Sequence, residues 1–424
     1  MNVRQVTPGD WRAWRALRLR ALADAPDAFS ETLTSAREQP DAAWMALVAL
    51  DPTRGAWLAE RDGVAVGMAV LKLEPDGLRS SLYAMWVAPD ARRGGVARAL
   101  VGTARAWALE HGACELTLQV TATSAPANEL YRTTGFVDTG TRIELRPGSG
   151  ITTRVVHARL RTVVMGVVNV TPDSFSDGGS YQDPGIALAH GLALVRDGAD
   201  IVDVGGEATN PRAQPVAVDE ELRRVLPVVQ QLAAAGVTVS IDTTKAEVAR
   251  AAIAAGARIV NDVSGGLFDP DMAHALGDAT YIAGHLRGRS LSEVFASEPS
   301  VRPVDWRVVA DELAERLAVL PHDVRERAWI DPGLGFGKGS DPEANLALVR
   351  HCGELGARLG RAVVVGASRK RFVRRAFGVR DDDLAALDAA SVTTSLDAIR
   401  AGANVVRVHN VALLRTALAL YTKH

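Results

Sequence analysis

The sequence predicts an α/β chain whose residues 161–424 fold as a (β/α)8 TIM barrel, and three observations carry that prediction. First, apolar runs that read as buried strands end again and again in polar, chemistry-bearing residues. VVMGVVNV runs into a segment of hydroxyls, carboxylates and glycines at 171–179, VDVGG into Glu207, TVSI into Asp242, and RIV into Asn261 and Asp262. TYIAG runs into His285, WI into Asp331, AVVVGA into Ser368, Arg369 and Lys370, and ANVV into Arg407 and His409. Second, stretches of helical period separate these runs, at 218–235, 245–255, 342–359, 385–401 and 411–421. Third, the roughly eight alternations fit in about 260 residues, the usual size of a barrel whose active site lies at the C-terminal ends of its strands.

A single strand ending of this kind carries little weight, because Pro, Asp, Ser and Gly are ordinary turn residues. The recurrence is what places chemistry at one end of a barrel. The chain has 424 residues, more than the roughly 250 to 300 at which a single core stops growing, so a second domain is expected. The segment ELRPGSG breaks at Pro147, Gly148, Ser149 and Gly150, a short alternating strand pattern follows, and the first barrel strand opens at Val163. The boundary is therefore set near residue 160, giving domains 1–160 and 161–424.

Composition narrows the function. The chain is 47% hydrophobic and 23% charged, with a formal charge of -2, an ordinary globular balance that offers no attraction to nucleic acid or a membrane surface. No run approaches the roughly 18 apolar residues of a membrane span, and the N-terminus lacks the apolar core of a signal peptide. The two cysteines, Cys114 and Cys352, fall in different predicted domains and build neither a disulfide framework nor a thiolate metal site. A cytoplasmic protein is expected.

Taken in order, NVTPDSFSDGG, VDVGGEAT, SIDTTK, NDVSGG, DPGLGFGK, GASRKRF and RVH resemble the dihydropteroate synthase family across residues 161–424. The resemblance implies an enzyme of folate biosynthesis that joins 4-aminobenzoate to 6-hydroxymethyl-7,8-dihydropterin pyrophosphate, with Mg2+ on the diphosphate. The residues suit that chemistry. A pterin edge presents N–H donors beside acceptors, which a carboxylate, an amide and an ammonium can meet together. By resemblance Asp242, Asn261, Asp331, Lys370 and Arg407 line the pterin pocket. The plainer alternative is that Asp242 and Asn261 cap the helices after them.

Asn169 is the metal contact that the family pattern offers, and Mg2+ usually takes only one or two protein oxygens. Arg407 and His409, two apart at a strand end, are placed to grip phosphate oxygens, and with Lys370 they form the expected catalytic set. Phe336 supplies a flat wall for 4-aminobenzoate, while Ser368 and Thr209 hold its carboxylate. Thr171, opening the segment 171–179, and the loop 208–215 shield a pterin cation from water.

Three positions depart from the family pattern. EATNPR puts Asn210 and Arg212 where ESTRPG is usual, Asn410 stands where RVHD is usual, and Gly284 replaces a common Met before His285. They raise two other readings, a pterin-binding homologue without synthase activity and a sulfonamide-tolerant variant. A pterin-dependent methyltransferase is disfavoured by TPDSFSDGG and SRK, which serve a diphosphate and an aminobenzoate. The helices near the C-terminus allow a homodimer.

In the first domain, LYAMWVAPDARRGGVARALV reads as strand, turn and helix, with Arg92, Gly95 and Ala97 in an Arg-x-x-Gly-x-Gly/Ala pattern. A small-residue turn feeding a helix exposes unpaired N–H groups that suit a pyrophosphate. With SAPANELYRTTGF downstream, this domain resembles the GCN5-related N-acetyltransferases. The resemblance implies an α+β fold with a mixed, mostly antiparallel sheet. It also implies acetyl-CoA held by Val87, Arg92, Gly94, Gly95, Val96, Ala97 and Ser124, and Tyr131 as the acid for the departing thiolate. Ser124 stands where Asn is commoner. Glu60, Glu74 and Glu115 are candidate bases, and the acceptor amine is left open, an arylamine such as a sulfonamide being one hypothesis.

Overall fold

The structure is a computed structural model that describes residues 1–74, 77–171, 184–209, 214–296, 305–338 and 341–421. The chain divides into two compact units, Met1–Arg161 and Thr162–His424.

The first unit holds β1 (Asn2–Gln5), β2 (Arg54–Arg61), β3 (Val64–Leu73), β4 (Arg79–Val87), β5 (Glu115–Thr121), β6 (Val137–Glu144) and β7 (Thr152–Arg159). They form one sheet in the order β1-β2-β3-β4-β5-β7-β6, antiparallel except for the parallel pair β4 and β5. The alternating pattern after Gly150 is β7, inserted between β5 and β6. Helix Val96–Glu110 turns Val96, Leu100, Val101, Ala104, Trp107 and Ala108 inward, the spacing of an apolar helical stripe.

One irregularity shapes this sheet. The β3–β4 register shifts between Met68 and Val70, and Ala84 takes a left-handed φ of 50°. Pairing of β4 with β5 stops at Leu82 and Leu118, so beyond this bulge the two parallel strands are no longer bonded.

The second unit holds β8 (Val163–Asn169), β9 (Ile201–Gly205), β10 (Val239–Asp242), β11 (Ile259–Asp262), β12 (Thr280–Gly284), β13 (Trp329–Asp331), β14 (Val364–Val365) and β15 (Val405–Val408). All are parallel and pair in chain order, with β15 returning to β8. A bridge from Ile330 to Val363 joins β13 to β14 and closes the ring. Helices of the expected ranges separate the strands, with one difference. The stretch 342–359 forms two helices, Pro342–Arg350 and Cys352–Leu359. The break lets Gly353 lie against the main chain of Ala401, where a Cβ would come within 2.1 Å of the carbonyl oxygen.

The barrel strands bury both faces, as parallel strands do. Val202, Val204, Ile241, Val260, Ile330, Val406 and Val408 join the helices in the main core. Residues alternating with them, including Asp203, Asp242, Asn261, Asp331 and Arg407, turn the other way, into the barrel. Among the described residues no helix is long and apolar enough to cross a membrane.

Candidate active sites

Polar side chains from four barrel strands meet at the C-terminal end. Asp203 of β9 is fully buried. Its Oδ2 accepts from Arg407 Nε of β15 at 2.6 Å and from Asn261 Nδ2 of β11 at 3.1 Å. Arg407 Nη2 donates to Asp242 Oδ2 of β10 at 2.7 Å. One guanidinium thus serves two carboxylates. Burial, with Asp203 nearby, pushes the Asp242 acid up to about 7 against the pull of Arg407. Arg407 is held charged by the two acids despite its burial. Asp203 Oδ1 is buried and takes no protein partner among the described residues.

A second group lies on the loops after β13 and β14. Lys370 Nζ donates to Leu334 O at 2.5 Å and sits 4.5 Å from the Phe336 ring centre. Burial lowers the Lys370 ammonium to about 8; Asp331 and Asp242 hold it up, and Arg407 pushes it down. Asp331 Oδ1 accepts from Gly333 N at 2.7 Å, which fixes the start of its loop. That loop wraps around His285, whose main-chain oxygen would lie 1.7 Å from a Cβ on Gly333. The buried Lys338 Nζ donates to His285 O at 2.8 Å and lies 2.7 Å from His285 Nδ1. His285 Nε2 meets Glu312 at 2.7 Å. Burial and the neighbouring cations hold both His285 and Lys338 well below their usual ranges.

A third group joins Ser368 to the end of β15. Ser368 Oγ lies 2.9 Å from His409 Nδ1 and accepts the His409 main-chain N–H at 3.2 Å. With the hydroxyl donating to Nδ1, the neutral ring carries its proton on Nε2. Burial, with Arg369 and Arg407 adding to it, lowers the imidazole to about 3, and His409 is neutral.

The structure therefore brings Asp242, Asn261 and Arg407 into direct contact, with Lys370, Phe336 and Asp331 beside one another and Ser368 on His409. Asn261 does not cap the helix after it, Met272–Ala275, whose cap residue is Asp271. Nor does Asp242 cap the helix Ala246–Ala254. Lys245 is its cap residue, and Asp269 Oδ2 accepts from Ala246 N at 2.7 Å. Asn169 ends β8, half-buried, beside Gly205 in register. Its side chain makes no hydrogen bond among the described residues, and no group of three His, Cys, Asp or Glu able to hold a metal occurs among them. Thr171 and Thr209 stand beside the segments 172–183 and 210–213. Those segments, with Asn210, Arg212 and most of the two shielding loops, lie outside the described residues.

Two departures from the family pattern find local explanations. A Cβ on Gly284 would fall 2.5 Å from Val263 O, so this chain's β11 loop occupies the space a larger residue needs. Asn410 leaves neither neighbour bare, because Arg407 has Asp203 and Asp242, and His409 has Ser368. The residues that the sequence reading missed are Asp203 and Lys338. An acid inside the apolar run IVDVGG was the available signal for Asp203. Glu207, which follows the apolar run VDVGG, pairs with Lys245, which also meets the fully buried Glu221.

In the first unit the site is mostly main chain. Arg93 and Gly95 take left-handed φ values of 61° and 81°, turning the chain into helix Val96–Glu110. The first-turn amides of Val96, Ala97 and Arg98 have no partner within the helix. Gly94 passes close to Arg61, whose Nη2 would lie 2.9 Å from an added Cβ. Arg92 turns away from this loop, donating to Val87 O at 3.0 Å and pairing with Asp24, which also accepts from Trp86 Nε1 at 2.9 Å. Ser124 precedes helix Ala125–Thr133 without a side-chain cap bond.

Tyr131 is buried with its ring edge-on to Phe136 at 5.4 Å, and burial holds its phenol well above the usual range. Of the candidate bases, Glu60 is paired with Arg4 at 2.8 Å and Glu74 accepts from Ser81 at 2.6 Å. Glu115 faces His157 at 3.5 Å and pairs in register with Arg79, at the end of β4 away from Val87.

Each of the two units resembles known proteins. Residues 165–409 match the pterin binding enzyme family, and residues 14–136 match the acetyltransferase (GNAT) family. The chain is 47% identical over 255 residues to dihydropteroate synthase of Mycobacterium leprae, covering 58% of this chain and 88% of that protein. A structure of Xanthomonas albilineans dihydropteroate synthase with 4-aminobenzoic acid matches at 40% identity and a TM-score of 0.56, covering 62% of this chain and 93% of that one. The same enzyme in complex with 7,8-dihydropteroate matches at 39% identity and a TM-score of 0.53 over the same shares. The chain thus belongs to the pterin binding enzyme family, as a transferase of the dihydropteroate synthase type with an N-terminal domain of the GNAT acetyltransferase family.

Proposed function

We propose that the barrel domain condenses 4-aminobenzoate with 6-hydroxymethyl-7,8-dihydropterin pyrophosphate, and that the first domain passes an acetyl group from acetyl-CoA to an amine. The observation that carries the first half is the array of Asp203, Arg407, Asp242 and Asn261 beside Lys370. It offers a pterin edge a carboxylate acceptor, an amide and an ammonium on rigid strand ends. The Xanthomonas relative's complexes with 4-aminobenzoic acid and 7,8-dihydropteroate support the substrate class.

In this reading the pterin N–H edge donates to Asp242 and Asn261, and Lys370 meets the ring carbonyl. The bond from the pterin methylene to the diphosphate oxygen breaks, and its electron pair leaves with the oxygen. Arg407 Nη1 and His409 Nε2–H remain to receive that charge, and such donors act most strongly where charge develops. The lone pair of the 4-aminobenzoate nitrogen then forms the new C–N bond, and the surplus proton leaves with the diphosphate or water. Phe336 forms a wall for the aromatic ring. Ser368 is committed to His409, so its hydroxyl can donate to the substrate carboxylate only by giving up its bond to Nδ1.

Asn169 fits a role in holding Mg2+, because its amide oxygen has no hydrogen-bond partner among the described residues and this ion needs few protein ligands when phosphate supplies the rest. When bound, Mg2+ would neutralise charge on the leaving diphosphate. In the first domain, the amides opening helix Val96–Glu110 would cradle the CoA pyrophosphate. Tyr131, kept protonated by burial, would supply the thiolate's proton. The substrates are charged metabolites of the cytoplasm, which is where this reading places the enzyme.

Mass spectrometry of the purified chain with both barrel substrates and Mg2+ should show 7,8-dihydropteroate, and the gene should restore growth of a synthase-deficient bacterium without folate supplements. Soluble protein that does neither would support a pterin-binding homologue instead. Acetyl transfer to an amine panel that includes 4-aminobenzoate and sulfonamides tests the other half.

A further inference from the structure

We infer that Asp388 and Asn410 form an acid and amide pair that positions the turn carrying Ser368, Arg369 and Lys370. The inference rests on the synthase reading of the barrel.

Arg369 sits between two residues of the candidate site and takes a left-handed φ of 59°, a conformation that a residue with a Cβ keeps only when its surroundings enforce it. Two anchors enforce it. Its N–H donates to Ser391 Oγ at 2.9 Å. Its guanidinium grips Asp388 with both prongs, Nε to Oδ1 at 2.7 Å and Nη2 to Oδ2 at 3.0 Å. Asp388 lies on helix Leu384–Arg400 and is nearly buried.

Asn410 completes the set. Its Oδ1 accepts from Leu413 N at 3.0 Å, at the start of helix Val411–Tyr421, and its Nδ2 donates to Asp388 Oδ2 at 3.1 Å. Both ends of the amide are therefore used, and each partner fixes which end it meets. A carboxylate at 410 would keep the helix bond but bring a second acid against Asp388. The acid expected at 410 from the RVHD pattern is thus supplied from another helix. The loops after β14 and β15 are cross-linked twice, by Ser368 with His409 and by Arg369 through Asp388 to Asn410.

The test uses the full chain and three variants: Asn410→Asp, Asp388→Asn and the exchange of both. Each single change should lower kcat/KM for condensation about 10-fold, and the exchange, which restores one acid and one amide but leaves an amide facing Arg369, should be no worse than Asp388→Asn alone instead of about 100-fold down. The urea midpoint of the barrel should show the same rescue, which reads the pair without catalysis. Independent losses that simply add in both measurements would overturn the inference. Rescue of the midpoint in a chain that never makes dihydropteroate would support the pair and count against the synthase reading alone.

Discussion

The two domains prepare for their substrates with different parts of the chain. In the barrel, the groups proposed to face substrate are side chains held by other side chains. Arg407 is fixed by Asp203 and Asp242, and His409 by Ser368. In the acetyltransferase domain they are main-chain amides, presented by the bulge at Ala84 and the left-handed turn at Arg93 and Gly95. A site of buried charges is rigid, but each charge depends on its partner. A site of amides has few charges to lose and depends on backbone conformation. The contrast predicts that the barrel fails through electrostatics and the sheet domain through backbone geometry.

The largest effect should come from Arg407→Met. It strands Asp203 and Asp242 without a counter-charge, and removing one member of a buried ion pair costs about 3–5 kcal/mol. Urea unfolding of the barrel should show that loss. Condensation should fall at least ~1,000-fold, as for loss of a principal charge-stabilising donor, while acetyl transfer persists. A loss below about 10-fold would mean that the leaving group is held elsewhere.

Next in size is pH dependence. Asp242 titrates near 7 and must be a carboxylate to accept the pterin N–H groups, so kcat/KM should fall as pH drops through that value. Lys370 titrates near 8 and must be an ammonium, so kcat/KM should fall again as pH rises past it. The profile for condensation should be a narrow bell, with each limb falling about tenfold per pH unit. Asp242→Asn should flatten the acid limb. Tyr131, held protonated far above neutrality by burial, gives acetyl transfer no such alkaline limb near pH 8. Equal profiles for the two reactions would erase the contrast.

Two glycines sharpen it further. Gly284→Ala in the barrel would push a methyl to within 2.5 Å of Val263 O, overpacking that should cost about 1–3 kcal/mol. Gly95→Ala meets nothing within 4 Å but must hold φ at 81°. That should cost about 1–2 kcal/mol and raise the KM for acetyl-CoA several-fold. Thermal unfolding and initial rates distinguish the two, since the first change is steric and the second conformational.

The barrel was legible because its side chains announce themselves. Asp242, Asn261, Asp331, Ser368, Lys370 and Arg407 each end an apolar run, and the period of two turns those within or closing a strand into the lumen. Asp203 escaped because its run continues past it to Gly205 and Gly206, so nothing marked an ending. Lys338 escaped because a lysine in a glycine-rich loop reads as exposed, and only the wrap around His285 buries it. Asp388 lies mid-helix, and its tie to Asn410 spans two elements that no local spacing relates. In the sheet domain the turn at Gly95 was visible, since glycine advertises a left-handed φ. The bulge at Ala84 was not, because alanine gives no sign of one.

That bulge offers the smallest and most selective test. Ala84 holds a φ of 50°, which costs an alanine about 1–2 kcal/mol. Ala84→Gly removes that strain in the folded chain but loosens the unfolded one by about 0.4–1 kcal/mol, so stability should rise by no more than about 1.6 kcal/mol. Ala84→Val keeps the unfolded chain stiff and adds a β-branched side chain where φ is positive, a combination that only strong surroundings tolerate. It should pull β4 back toward a regular ladder and raise the KM for acetyl-CoA, while condensation in the barrel is untouched. If valine left the acetyl-CoA KM unchanged, the bulge would be incidental, and the amides of the helix start would carry that site alone.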